Sequence, residues 1–234
     1  EMIKQMPAAR GRFPTYKDFA SVTFEEAFTQ DELKEATVVK SECMESSYFQ
    51  NKGNGVFERK ALPLLCQASP IFGMLTGDYN SDGNADILVT GNSNSTEPST
   101  GAYDAMNGIL LAGDGKGNFA VQNSMQTGLS TPGDMKGMAS LKNADGSLLL
   151  LAAANSGKLK AFRFAIPGQE LYEADNASVY AIITLKSGKK MKQEFYWGNA
   201  YLSSSERLFW YDKQNTIMIE FYDARGNRTK IVKK

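Results

Sequence analysis

Three stretches of the chain share one local grammar: an extended run, a tight turn of Asn, Asp and Gly, and a second extended run. Ser47-Tyr-Phe-Gln, Asn51-Lys-Gly-Asn-Gly and Val56-Phe-Glu-Arg form the first. Ile109-Leu-Leu-Ala, Gly113-Asp-Gly-Lys-Gly-Asn and Phe119-Ala-Val form the second, about sixty residues on. Leu148-Leu-Leu-Leu-Ala, Asn155-Ser-Gly and Lys158-Leu-Lys-Ala-Phe-Arg-Phe form a third, degenerate one. Glycine in such turns supplies the positive φ that two extended strands need to reverse direction. Three related hairpins predict a repeat architecture of β-units, such as propeller blades.

Composition narrows the function classes. With 42% hydrophobic and 11% aromatic residues in 234, the chain has ordinary globular content and length enough to bury a core. Twenty-six Lys and Arg balance twenty-six Asp and Glu, which removes the electrostatic case for a nucleic-acid or anionic-membrane partner. Histidine is absent. That excludes Ser-His-Asp and Cys-His nucleophiles, His-ligated zinc and histidine pH switching. The longest apolar run, Leu148 to Ala154, is too short to span a bilayer, so no membrane-spanning segment is expected. The opening Glu-Met-Ile-Lys-Gln-Met shows no export signal and no initiator methionine, which reads as a removed leader or, the favoured reading, as a segment of a longer polypeptide.

Three regions follow from the texture of the chain. Residues 1–40 read as a helical lead-in packed on the repeats: Thr23-x-x-Glu26 and Thr29-x-x-Glu32 have capping-box spacing, and a helix is predicted over Gln30 to Val38. Phe19, Phe24 and Phe28 supply its apolar anchors. Residues 41–168 carry the β-repeats. Pro167-Gly168 and the polar run Gln169 to Asn176 mark a boundary, and residues 175–234 read as a small all-β unit. Within it, Lys186, Lys189, Lys190 and Lys192 read as a solvated hairpin tip. The hairpin register sets Cys66 on the order of 10 Å along the strand from Cys43, so two free thiols are expected.

The sharpest motif is Asp78-Tyr-Asn80-Ser-Asp82-Gly83-Asn84-Ala-Asp86. Oxygen donors at the first, third, fifth and ninth positions can converge on one hard cation, and glycine at the sixth allows the sharp turn. Asn84, seventh, is placed to offer its backbone carbonyl. Three carboxylates this close repel one another unless a cation sits among them. An EF-hand would need a Glu at the twelfth position, where Val89 stands, and helical flanks; the flanks here are strand-like. Ca2+ fits better than Mg2+ because the donors are many and flexible. The alternative is an Asp/Asn/Gly turn that needs no metal. The corresponding stretch of the next unit, Leu141-Lys-Asn-Ala-Asp145-Gly146-Ser, lacks the leading and closing carboxylates, so one site is expected.

Gly77-Asp-Tyr-Asn-Ser-Asp-Gly-Asn-Ala-Asp-Ile-Leu-Val, with the turns Asn51-Lys-Gly-Asn-Gly-Val-Phe and Gly113-Asp-Gly-Lys-Gly-Asn-Phe, resembles the FG-GAP/VCBS repeat family of calcium-bearing β-propellers. Leu64-Leu-Cys-Gln-Ala-Ser-Pro-Ile-Phe-Gly-Met-Leu, Thr100-Gly-Ala-Tyr-Asp-Ala-Met-Asn-Gly and Pro132-Gly-Asp-Met-Lys-Gly-Met-Ala look like the end of large Bacteroidetes-type propeller proteins. Gly198-Asn-Ala-Tyr201-Leu-Ser-Ser-Ser is similar to their C-terminal ASPIC/UnbV domain. The resemblance implies calcium ligands at Asp78, Asn80, Asp82, Asn84 and Asp86. It also implies an exported location (extracellular, cell-surface or periplasmic), a binding or adhesion role and no catalytic activity. The chain holds two or three blades at most, so upstream blades of the same protein join an extracellular protein or glycan as expected partners.

The polar loop Asn92 to Thr100 is read as lying beside the metal site. A competing function is a calcium-assisted polysaccharide-active enzyme or its accessory domain, although no carboxylate pair stands out by spacing. Ser203-Ser204-Ser205 lacks the setting of a nucleophile elbow. Tyr196, Trp197, Tyr201, Phe209, Trp210 and Tyr211 read as the core of a small β unit before they read as a carbohydrate platform.

Overall fold

The computed structural model describes residues 6–7, 9–166, 168–198 and 207–233. The ASPIC/UnbV-like stretch from 199 onward, Tyr201 and the serines 203–205 lie outside them. The chain divides into two units, Glu1–Met44 and Glu45–Lys234.

In the first unit, four short helices follow one another: α1 (Ala9–Arg12), α2 (Tyr16–Ala20), α3 (Phe24–Ala27) and α4 (Gln30–Leu33). Both expected capping boxes form, at Thr23–Glu26 and Thr29–Glu32, and a third forms at Thr15–Asp18. The helix expected over 30–38 stops at Leu33. Lys34, Glu35 and Ala36 favour a helix, but residues 34–40 are all exposed, so no packing carries the turn on to the β-branched Thr37, Val38 and Val39. Ala9, Phe13 and Ala27 form a small core with Phe19 and Phe28 against it. Phe24, expected as an anchor, is instead 59% exposed. Arg12 forms a two-pronged pair with Glu32, at 3.1 and 2.5 Å, and donates to the Ala27 carbonyl at 2.9 Å.

The second unit is mainly β. All three hairpins expected from the sequence form. The first pairs β1 (Ser47–Gly53) with β2 (Val56–Ala61). A four-stranded antiparallel sheet follows in the order β3 (Ile71–Gly77), β4 (Asp86–Gly91), β5 (Ile109–Gly113) and β6 (Phe119–Asn123). Next come β7 (Met135–Lys142), β8 (Leu148–Ala154) and β9 (Lys160–Phe164), again antiparallel in chain order. A short helix, α5 (Ser124–Thr127), links the two sheets.

The two central strands, β4 and β5, are buried on both faces, which explains why Ile87-Leu-Val and Ile109-Leu-Leu-Ala read as unbroken apolar runs. On one face Leu75, Leu88 and Leu110 meet Met138, Leu148 and Leu150 of the next sheet. On the other, Val89, Ile109 and Leu111 pack with Met106 and Cys66. Cys66 is a buried free thiol in the 3-10 turn Leu64–Gln67; Cys43 is exposed. β3 comes close to β7 at Gly73, where a Cβ would stand 2.9 Å from the Met138 amide nitrogen. Both strands carry a Gly-Met pair and a register irregularity there, Ile71/Gly73 and Met135/Gly137.

The C-terminal part forms a second four-stranded sheet in the order β12 (Lys190–Glu194), β11 (Tyr180–Leu185), β14 (Thr216–Tyr222) and β15 (Arg228–Lys233). A separate ribbon pairs β10 (Gln169–Glu173) with β13 (Leu208–Asp212). Alternation of side chains makes this ribbon a wall between two cores. Leu171, Leu208 and Trp210 join the core of the repeat sheets, while Tyr172, Phe209 and Tyr211 join Ile219 and Phe221 of the C-terminal sheet. The polar run that the sequence marked as a boundary thus begins with a strand, Gln169–Glu173. No helix among the described residues is long and apolar enough to cross a membrane.

Candidate metal centre

The acidic bend joins β3 to β4, with Gly77 paired to Asp86 at its base. Two residues of the bend, Ser81 (φ 66°) and Gly83 (φ 80°), take the left-handed conformation. Glycine makes the second of these easy, as expected for the sixth position of the motif. Tyr79, to which the sequence reading gave no role, anchors the bend: its ring is buried and meets Phe164 edge-on at 5.5 Å. An aromatic residue in an otherwise polar loop was the available signal.

Each of the five predicted positions sits in the bend, and the oxygens fold back onto its amides. Asp78 accepts from the Asp82 and Gly83 N–H groups at 3.2 and 3.0 Å. Asn80 Oδ1 accepts from the Asp82 N–H at 2.9 Å, and Asp82 accepts from the Asn84 N–H at 2.7 Å and from Asn80 Nδ2 at 3.1 Å. Asp86 is fully buried and accepts from three amides: Tyr79 at 2.9 Å, Asn80 at 3.2 Å and Gly113 at 2.9 Å. Among the described residues no three His, Cys, Asp or Glu side chains are gathered as a metal-binding group. The bend's remaining donors are two Asn side chains and backbone carbonyls.

The electrostatics separate this bend from the chain's other acidic turns. At the β5–β6 turn, Asp114 accepts from Asn118 Nδ2 at 2.6 Å and from the Lys116 and Asn118 amides, which hold its pKa down to about 2. At the β14–β15 turn, Asp223 makes the same contacts with Asn227 and Arg225, and its pKa is also lowered. Asp78 and Asp86 behave oppositely. Burial pushes both pKa values up, and neighbouring carboxylates add to it: Asp82 for Asp78, and Asp82 with Asp78 for Asp86. The hairpin tips hold one exposed carboxylate each in a cage of donors, whereas in the bend burial outweighs the amide bonds to Asp78 and Asp86.

Two contacts from the C-terminal part reach the bend, and the sequence signalled neither. Lys189 Nζ donates to the Gly83 carbonyl at 2.9 Å and to Asn84 Oδ1 at 3.3 Å. Gln169 Nε2 donates to Ser81 Oγ at 2.9 Å. Lys189 is exposed at the β11–β12 turn, as expected, and reaches the bend from there. Lys192 stays at the surface, paired with Glu194 at 2.5 Å.

The loop Asn92 to Thr100 does not flank the bend. The bend enters β4 at Asp86 and the loop leaves at Gly91, so the strand's length, about 17 Å, separates them. Asn92 is buried and structural: it bonds both the amide and the carbonyl of Met106 and the Gly133 carbonyl, at 2.8–2.9 Å. The aromatic cluster divides. Phe209 and Tyr211 are core, Trp210 packs on the repeat core, and Tyr196 and Trp197 are exposed. The equivalent turn between β7 and β8 carries one carboxylate, Asp145, bonded to Ser147 and paired with Arg163. Neither protein-family models nor curated proteins give a match to this chain.

Proposed function

We propose that residues 45–234 form a calcium-stabilised, non-catalytic binding module of the FG-GAP/VCBS type, part of an exported adhesion protein. Three successive sheets of two, four and three strands are consistent with consecutive propeller blades, and the C-terminal sheet with an ASPIC/UnbV-like domain. The observation that carries the reading is the bend itself, a nine-residue turn between β3 and β4 that holds the oxygen donors Asp78, Asn80, Asp82 and Asp86 at the spacing a hard cation uses. Burial raises the pKa of Asp78 and Asp86, so a divalent ion there would offset part of the cost of keeping them charged. Asp78, Asn80, Asp82 and Asp86 would hold it by side-chain oxygens and Asn84 by its carbonyl. The ion would act as a clip between β3 and β4, leaving the surrounding loops to present contacts to an extracellular protein or glycan.

Equilibrium dialysis against radioactive calcium tests the ion. One ion per chain, lost in Asp82→Ala with the fold retained by circular dichroism, is the expected result. A wild-type chain that takes up none at millimolar calcium overturns it.

A further inference from the structure

One cation of the chain already stands on the acidic bend. Lys189, in the exposed turn between β11 and β12, sends its ammonium to the Gly83 carbonyl at 2.9 Å and to Asn84 Oδ1 at 3.3 Å. A Cβ on Gly83 would lie 3.4 Å from Nζ, so the ammonium sits against the sixth position of the motif. Both acceptors are uncharged oxygens. Asp78, Asp82 and Asp86 belong to the same nine residues, however, and their field attracts the ammonium as well.

Neither contact uses an oxygen that the proposed ion requires. Asp78, Asn80, Asp82 and Asp86 would offer side-chain oxygens and Asn84 its main-chain carbonyl, while Lys189 takes the Gly83 carbonyl and the Asn84 side chain. Ion and ammonium therefore do not compete for ligands. They compete as charges, because Lys189 brings one positive charge to three carboxylates before any ion arrives. Calcium loops of similar design differ by orders of magnitude in affinity according to the charge around the ion and the rigidity of the loop. We propose that Lys189 is a tethered counter-ion that sets the calcium affinity of the bend, holding it below what the carboxylates alone would give. The coupling is reciprocal: by whatever factor Lys189 weakens the ion, the ion weakens the hold of Lys189 on the bend. Calcium thus loosens the β11–β12 turn, and that turn is where the C-terminal sheet responds to the ion.

The proposal rests on the calcium reading of the bend. Its test is calorimetric titration of the full chain with calcium, in the wild type, Lys189→Gln, Lys189→Arg and Lys190→Gln. Water and salt leave only a modest repulsion between two cations on an exposed bend, so Lys189→Gln is expected to bind calcium about three- to fivefold more tightly. That gain is expected to shrink as ionic strength rises. Lys189→Arg keeps the charge and is expected to stay within about twofold of the wild type. Lys190→Gln removes the same charge from the next residue, also exposed, and is expected to change affinity by less than about twofold. A second readout is the carbon-13 signal of Lys189 Cε, assigned by its loss in Lys189→Gln. In chelator it is expected to stand apart from the solvated lysines, and calcium is expected to move it toward them. A wild type that takes up no calcium overturns the calcium reading and this proposal with it. A wild type that binds calcium, with Lys189→Gln no tighter than Lys190→Gln or no tighter than Lys189→Arg, overturns this proposal alone. So does a Lys189 signal that calcium leaves unmoved.

Discussion

Asp86 accepts a 2.9 Å hydrogen bond from the amide of Gly113, twenty-seven residues away on the neighbouring strand β5. Its other oxygen takes the Tyr79 and Asn80 amides at the mouth of the bend. The ninth position of the motif is therefore a structural post as well as a candidate ligand, whereas Asp82 is exposed at the bend's tip.

The two carboxylates are expected to separate in mutagenesis. Asp86→Ala leaves three amides without their acceptor, and destabilisation of about 3 kcal/mol or more is expected with or without calcium. Asp82→Ala is expected to cost under about 0.5 kcal/mol in chelator, as exposed substitutions do, and to abolish the calcium-dependent gain. Urea denaturation of both variants in each condition reads the difference. Equal losses in chelator would mean that Asp86 is not the post described.

Gly113 and Gly91 permit no side chain for a steric reason. A Cβ on Gly113 would collide with the Ala85 carbonyl oxygen, and one on Gly91 with that of Pro70. Because the obstacle is backbone, either Ala substitution is expected to cost about 3 kcal/mol, measured as a lowered denaturation midpoint. Gly146→Ala serves as the comparison: it has nothing within 4 Å but sits at φ 83°, so only the milder conformational cost of about 1 kcal/mol is expected.

What the sequence showed well is what local chemistry decides. Asn-Gly and Asp-Gly turns set Asn51–Gly55 and Gly113–Asn118, and hydroxyl–carboxylate pairs set the caps at Thr23 and Thr29. The bend was legible for the same reason, since all five of its donors lie within nine residues. What stayed hidden depends on distant strands meeting. The run from Gln169 marked a boundary, but its polarity carries no sign that Leu171 and Tyr172 face opposite cores. Lys189 looked like one of four solvated lysines, and only the fold brings it to Gly83, 106 positions back. Asn92 looked like polar loop because a fully satisfied buried amide has the same letter as an exposed one.

The Arg12–Glu32 pair gives the N-terminal unit a pH dependence with a definite sign. The Arg12 guanidinium, helped by the Thr29 amide and hydroxyl, lowers the Glu32 pKa from 4.5 to about 2. A carboxylate lowered in the folded state stabilises fully above its unfolded value and loses that contribution as pH falls through its folded one. The contribution is therefore expected to be complete above pH 4.5 and to disappear toward pH 2. Carbon-detected NMR titration of Glu32 checks the value. In Arg12→Ala the midpoint is expected to return most of the way to the ordinary range, and an unchanged midpoint would mean the pair does not form in solution.

The β10–β13 ribbon carries a prediction about cooperativity. Leu171 and Trp210 are held by the repeat core, while Tyr172, Phe209 and Tyr211 are held by the C-terminal core, so neither core can lose its wall without exposing the other's. Residues 45–234 are thus expected to melt in one transition, despite the two sheets having separate hydrophobic clusters. Leu88→Ala and Phe221→Ala, one in each cluster and both at most 3% exposed, should each remove about 3–5 kcal/mol. Both losses should appear in the same unfolding curve, read by hydrogen exchange of Leu75 and Ile219 amides alike. If Phe221→Ala accelerates global exchange in 180–233 and leaves 71–164 untouched, the ribbon does not couple the cores, and the C-terminal sheet is an independently folding domain.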